Sequence, residues 1–288
     1  MNLRKPAVAG TFYPADPGEL GEAIRASYLH RLGPGKIPVQ GGSGESRGLG
    51  AFVCPHAGYA YSGPVAAHSY LVASRLKGPC LVVAIGPNHY GLGSGVAAYG
   101  EGEWETPIGR VSIDGEATAK LAKTTGIVDV DPSAHRLEHS VEVQLPFLQA
   151  IYGASFTFLP VVLAFQDKDT ARALGRGVAE LLKDASEGRR NAILIASSDL
   201  THYEPASQAR EKDGALLKHV EALDVDAFYT TLERRDITAC GFGAIAAVME
   251  ACRLLGYRRG SLNAYATSGD TTGDNSAVVG YPSVTFER

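Results

Sequence analysis

Residues 156–202 read FTFLPVVLAFQDKDTARALGRGVAELLKDASEGRRNAILIASSDLTH. Two short apolar runs, "FTFLPVVL" (156–163) and "NAILIAS" (191–197), bracket the stretch "DTARALGRGVAELLKDA" (169–185), whose apolar residues recur at helical spacing. Neither run alternates apolar with polar residues, so each is expected to be a strand buried on both faces. A strand, a helix and a buried strand in succession indicate a layered α/β fold.

The same alternation extends outward. Towards the N-terminus lie the runs "AFV" (51–53) and "CLVVAI" (80–85), separated by the helical stretch "PVAAHSYLVASRL" (64–76). An earlier helix is signalled by "DPGEL" (16–20): Asp16 can cap, Pro17 suits the first position, Glu19 completes a capping box, and the helix is expected to stop at Gly33. The Gly- and Pro-rich segment 33–48 reads as a loop excursion within one domain. At the other end, "SLNAYATSGD" (261–270) and "SAVVGYPSVTFER" (276–288) look like two strands joined by a polar loop that extend the sheet. The whole chain, 1–288, is expected to be a single domain with a central, mostly parallel sheet flanked by helices.

Composition narrows the function. The 288 residues are 45% hydrophobic and 20% charged, and a net charge of −4 with no basic run disfavours nucleic acid as a partner. The N-terminus lacks the apolar stretch of a secretory signal, and no segment approaches the ~18 apolar residues of a membrane span, so no membrane association and a cytoplasmic location are expected. The four cysteines show no C-x-x-C pairing. Cys80 and Cys252 read as small buried residues, and Cys54 as packing.

In open α/β sheets ligands bind at the carboxyl ends of the strands. Of eight histidines in the chain, His56, His89 and His202 fall just past three apolar runs. Adjacent parallel strands would bring them to one edge, where convergent imidazoles make a metal site. Cys240 stands at the start of the apolar stretch 240–257, where free N–H groups and the helix dipole favour a thiolate. Glu138, His139 and Glu142 cluster near the first turn of an expected helix with an apolar stripe at Val141, Leu145, Leu148 and Ile151. The two carboxylates either cap that helix or serve as partners that fix a metal-bound imidazole. Asp199 could orient His202 or act as a ligand. Tyr59, Tyr61, Tyr90 and Tyr203 suit ring stacking in a cleft or ordinary packing. The loop "TSGDTTGDNS" (267–276) reads as a turn-rich connection. No dinucleotide fingerprint, P-loop or serine nucleophile elbow is present.

Seven stretches in register, "AGTFYP" (9–14), "PHAGYAYSG" (55–63), "GPNHYG" (86–91), "W-x-TPIG" (104–109), "EHSVEVQLPFLQ" (138–149), "SSDLTHY" (197–203) and "ACGFGAI" (239–245), resemble the Memo family, whose prokaryotic members are called AmmeMemoRadiSam system protein B. That family's fold resembles the class III extradiol ring-cleaving dioxygenases, which hold non-haem iron with two histidines and a glutamate. The resemblance implies that His56 and His89 are metal ligands, that Cys240 replaces the carboxylate ligand, and that His202 matches the acid/base histidine. A sulfur ligand makes the site softer, so a divalent metal is expected, iron first, with copper and zinc open. The family name also implies a pathway shared with a radical-SAM enzyme and an AMMECR1-type protein.

Three functions follow as expectations. One is a metal-dependent oxidoreductase in which His202 and Asp199 handle protons. Another is a hydrolase or lyase using zinc-activated water with Glu142 or His202 as base. The last is a non-catalytic module that holds a small molecule or peptide in the same cleft.

Overall fold

The computed structural model describes residues 2–42, 44, 47–78 and 81–288; Cys80 lies outside them. Strand β1 (Leu3–Arg4) precedes helix α1 (Pro17–Leu29), and β2 (Leu49–Cys54), α2 (Tyr59–Ala73) and β3 (Leu81–Pro87) follow. Short strands β4 (Val96–Ala98), β5 (Glu103–Thr106) and β6 (Gly109–Ile113) lead to α3 (Gly115–Thr125), β7 (Asp129–Val130) and a 3-10 turn at Pro132–His135. Next come α4 (Leu145–Tyr152), β8 (Thr157–Leu163), α5 (Lys168–Leu181), α6 (Lys183–Ser186), β9 (Ala192–Ser197) and β10 (His202–Glu204). The chain ends with α7 (Ala206–Glu221), α8 (Val225–Arg234), α9 (Phe242–Leu254), β11 (Arg259–Thr267), α10 (Ser268–Thr272) and β12 (Val278–Glu287).

The strands form one sheet with the order β1-β5-β6-β8-β3-β9-β2-β12-β10. Its centre, β6-β8-β3-β9-β2, is parallel throughout, as the unbroken apolar runs require. The expected C-terminal pair is present: β11 and β12 are antiparallel, and β12 extends the sheet from β2. The connection between them, expected as a turn-rich loop, contains the short α10.

Alternate residues along the central strands enter different cores. Val53, Val83, Leu159 and Leu194 pack under α5, α7, α8 and α9, whereas Phe52, Val82, Phe158 and Ile193 pack under α1, α2 and α4. A period of two therefore sorts one strand's side chains into two helix-covered faces, giving three layers. Pro160 survives inside β8 because it sits where the neighbouring strand changes. β6 pairs with residues 157–158 and β4 with 161–163, and on that side the Pro160 carbonyl accepts from Tyr99 N. Its missing N–H falls in the gap between the two partners.

Two boundaries differ from expectation. Asp16 caps α1 through the N–H groups of Gly18 and Glu19, but the helix ends at Leu29, short of Gly33. Glu138, His139 and Glu142 are not in a helical first turn: α4 begins at Leu145, and the residues before it form turns. Pro146 favours that limit, because its ring lacks an N–H and crowds the carbonyl four residues back, although α2 bears that cost at Pro64.

Candidate metal centre

Strands β3, β9 and β2 lie side by side, so the segments leaving their carboxyl ends meet above one edge of the sheet. His56 follows β2, His89 follows β3, and Asp199 follows β9. Cys240 arrives from the opposite direction, two residues before α9. A Cβ on Gly241 would meet the Ser197 carbonyl oxygen at 2.4 Å, so only glycine lets α9 start this close to the end of β9. The outcome is a cluster in which His56, His89 and Cys240 each place a ligand atom within 4.8 Å of the others. The imidazoles of His56 and His89 meet edge to face at 5.2 Å, and His139 stacks on His89 at 4.6 Å.

Hydrogen bonds assign the tautomers. Ser197 Oγ donates its one proton to the Ser140 carbonyl at 2.6 Å and accepts from the Gln144 amide at 2.8 Å. Having no further proton to give, it must accept from His56 Nδ1 at 3.0 Å, so Nδ1 carries the hydrogen and Nε2 a lone pair. Glu138 Oε1 lies 2.9 Å from His89 Nδ1, and a carboxylate can only accept. The Thr238 carbonyl does the same for His202 Nδ1 at 2.9 Å. In each ring the Nδ1 hydrogen is thus fixed, which leaves Nε2 as the atom available to a metal or to proton exchange.

The charges are arranged to keep these states. Burial, then the neighbouring His89 and His139, holds His56 well below its usual pKa. Burial alone would raise the Glu138 carboxyl, but the hydrogen bond and charge of His89, with His139 and the Ser140 N–H, outweigh it and lower it to about 2. Cys240 Sγ lies 3.1 Å from His56 Nε2 and accepts the Asp199 N–H at 3.3 Å. The expected thiolate is not the resting form: burial first, then the Asp199 charge, pushes this thiol up. With a lone pair on His56 Nε2, the thiol proton is donated to it, at the place a metal ion would take.

His202 and Asp199 share a cleft of about 680 Å³ with this cluster, which Phe12, Tyr61 and Tyr203 also line. Burial raises Asp199 to about 6, opposed by the His56 N–H and the nearby His202. Its carboxylate accepts from His56 N at 2.8 Å, while His202 is oriented by Thr238. Tyr203 is 79% exposed, and its backbone is held at φ 61°, an uncommon state for a residue with a side chain.

Other candidates lie elsewhere. Glu142 accepts from Arg4, Tyr13 and the N–H groups of Ala7 and Val8, so it has no capacity left to serve as a base. Tyr59 is buried, with its hydroxyl on the Val143 carbonyl, and Tyr90 is half-exposed outside the cleft lining. Cys54 is a buried strand residue raised to about 12 by burial, and Cys252 is buried in α9. Ser197, Gln144 and Thr238 were not singled out by sequence reasoning. Only "SS" at a strand end and the adjacency of Thr238 to Cys240 could have marked two of them.

The residues fit a metal: two imidazoles whose tautomers are fixed from behind and one sulfur, on an open cleft, form a donor set for a divalent ion of intermediate softness. Comparisons agree at the level of family. A family profile described as "Memo-like protein" matches residues 4–285. A MEMO1 family protein of Methanopyrus kandleri is 48% identical over 285 residues, covering 99% of both chains. One from Sulfolobus acidocaldarius is 46% identical over 285 residues, again covering 99% of both. Among solved structures, an uncharacterized protein from Escherichia coli K12 has the same fold, with a TM-score of 0.50 at 13% identity, covering 82% of this chain and 98% of its own.

Proposed function

This chain belongs to the Memo family, and we propose from that premise that it is a non-haem metal-dependent oxidoreductase of the dioxygenase-like kind. The observation that carries the reading is the grouping of His56, His89 and Cys240 beside His202 in a single cleft. Iron is the first candidate, with copper and zinc next, because the donors mix imidazole with sulfur. When bound, the metal supplies Lewis acidity and, for iron or copper, one-electron chemistry.

The chain's own residues do the rest. Glu138 and Ser197 hold the two ligand imidazoles from behind, so their lone pairs stay aimed without reorganisation. His202, oriented through Nδ1 by the Thr238 carbonyl and sharing the cleft with Asp199, is the residue that accepts a proton at Nε2 and returns it. Tyr61 and Tyr203, both exposed on the cleft lining, offer ring faces to a substrate.

Elemental analysis and spectroscopy of protein prepared without oxygen test this reading. Near-stoichiometric iron or copper, lost on His56→Ala, supports it; wild-type protein that takes up neither metal under reducing conditions overturns it. The zinc-water reading keeps only His202 as its base, since Glu142 is engaged with Arg4 and Tyr13. Turnover with zinc and without oxygen would select it.

A further inference from the structure

A second cavity, of about 670 Å³, opens on the far side of Phe12, between the N-terminal turn and helices α1 and α2. Its walls include Phe12, Ala23, Ala26, Tyr59, Ala60 and Pro64. The two helices touch tightly at one end, where a Cβ on Gly63 would meet Ser27 Oγ at 2.5 Å, and part where alanines face each other. The size is that of a small-molecule site.

The wall chemistry selects the occupant. Each hydroxyl on it donates its proton into the protein: Thr11 to the Val8 carbonyl, Tyr13 to Glu142, Ser27 to the Ala23 carbonyl and Tyr59 to the Val143 carbonyl. Beside the exposed Asp16 and Glu19 and the half-buried His30, the cavity presents methyl groups, two prolines and aromatic rings, and that part of its surface favours an apolar guest. Phe12 lines this cavity and the metal cleft alike, with its ring 4.4 Å from that of His139. Its carbonyl accepts from Tyr59 N at 2.8 Å, so the backbone is held and the ring is the part of Phe12 that rotation can move.

We propose that this cavity is the tail pocket of the metal cleft. The ligand is an amphipathic small molecule whose polar, electron-pair-donating head lies at His56, His89 and Cys240 and whose apolar tail passes Phe12 into the space between α1 and α2. The proposal rests on the metal-site reading for its head group, while the tail pocket stands on its own lining.

A chain-length series separates the two. Acetohydroxamate, hexanohydroxamate and octanohydroxamate are titrated into zinc-loaded protein, wild type, Ala23→Phe and Ala60→Trp. Each buried methylene is expected to tighten binding about three- to fourfold until the cavity is full. The fillers on opposite walls should abolish that gain and leave acetohydroxamate within about twofold of wild type. Having two fillers guards against one that misfolds. Equal affinity across the series, or a gain that survives both fillers, overturns the tail pocket. The metal-free protein gives the independent measurement with 1-aminoanthracene, a fluorescent apolar probe. Binding that the fillers remove supports the pocket; no binding, or binding indifferent to them, overturns it. If the probe binds in the cavity while acetohydroxamate fails to bind the zinc-loaded protein, the metal-site reading fails and the head-to-tail linkage with it.

Discussion

Arg4 and Glu142 meet at 2.6 Å with almost no access to water on either side chain. The Arg4 guanidinium also donates to the carbonyls of His135 and Glu138 and lies 4.0 Å from the centre of the Trp104 ring. Glu138 steadies His89, so a charge pair outside the cleft holds the turn that carries a ligand's partner. Removing one member leaves the other buried and unpaired. We predict that Arg4→Met lowers stability by about 3–5 kcal/mol, measured by urea unfolding. A loss under 1 kcal/mol would show that the pair is dispensable.

The tautomer assignment makes a separate prediction. In Ser197→Ala the His56 Nδ1–H loses its acceptor and the Gln144 amide loses a partner. Metal affinity should fall about 10- to 100-fold. Competition with a chelator measures the fall, and ¹⁵N chemical shifts of the His56 ring report the tautomer directly. Unchanged shifts and affinity would mean that Ser197 does not set it.

Metal loading should release protons. A buried Cys240 that is a thiol at rest must lose its hydrogen to bind as sulfur anion, giving up about one proton per ion at pH 7. Calorimetry in buffers of different ionisation enthalpy counts it. In Cys240→Ser the count should drop towards zero.

Acid should destabilise the protein through His135 as well as through the site. Burial, then the Arg4 charge, lowers this histidine to about 3, so the folded state keeps it neutral. The unfolded chain protonates near pH 6.5, so it binds more protons across the window between the two values, and stability falls as pH drops through it. The slope is at most about 1.4 kcal/mol per pH unit from this one group. His135→Gln should flatten the stability profile between pH 6 and 4, read from urea midpoints.

The layers were legible because burial on both faces leaves a sequence trace: "CLVVAI" and "NAILIAS" admit no polar alternation, and β3 and β9 follow them closely. The convergence of His56, His89 and His202 followed from parallel strands ending at one edge, while Cys240 was marked by its place before an apolar helix and by the family resemblance. The surroundings of Glu142 were hidden for a different reason. Its partner Arg4 is 138 residues away, and no local periodicity records so distant a pairing. Glu138 and Glu142 precede α4, whose start at Leu145 puts Pro146 in its opening turn, whereas the apolar stripe by itself points to an earlier start. The carbonyl that orients His202 belongs to Thr238, and a backbone acceptor has no signature of its own in the sequence.

The thiol of Cys240 and the imidazole it touches are separated by 184 residues of chain. During synthesis, His56 and His89 leave the ribosome with most of the protein still unmade. Sulfur joins only after α9 has formed and Gly241 has settled against the end of β9. The order of emergence therefore leaves the three-residue donor set incomplete until the fold is nearly closed.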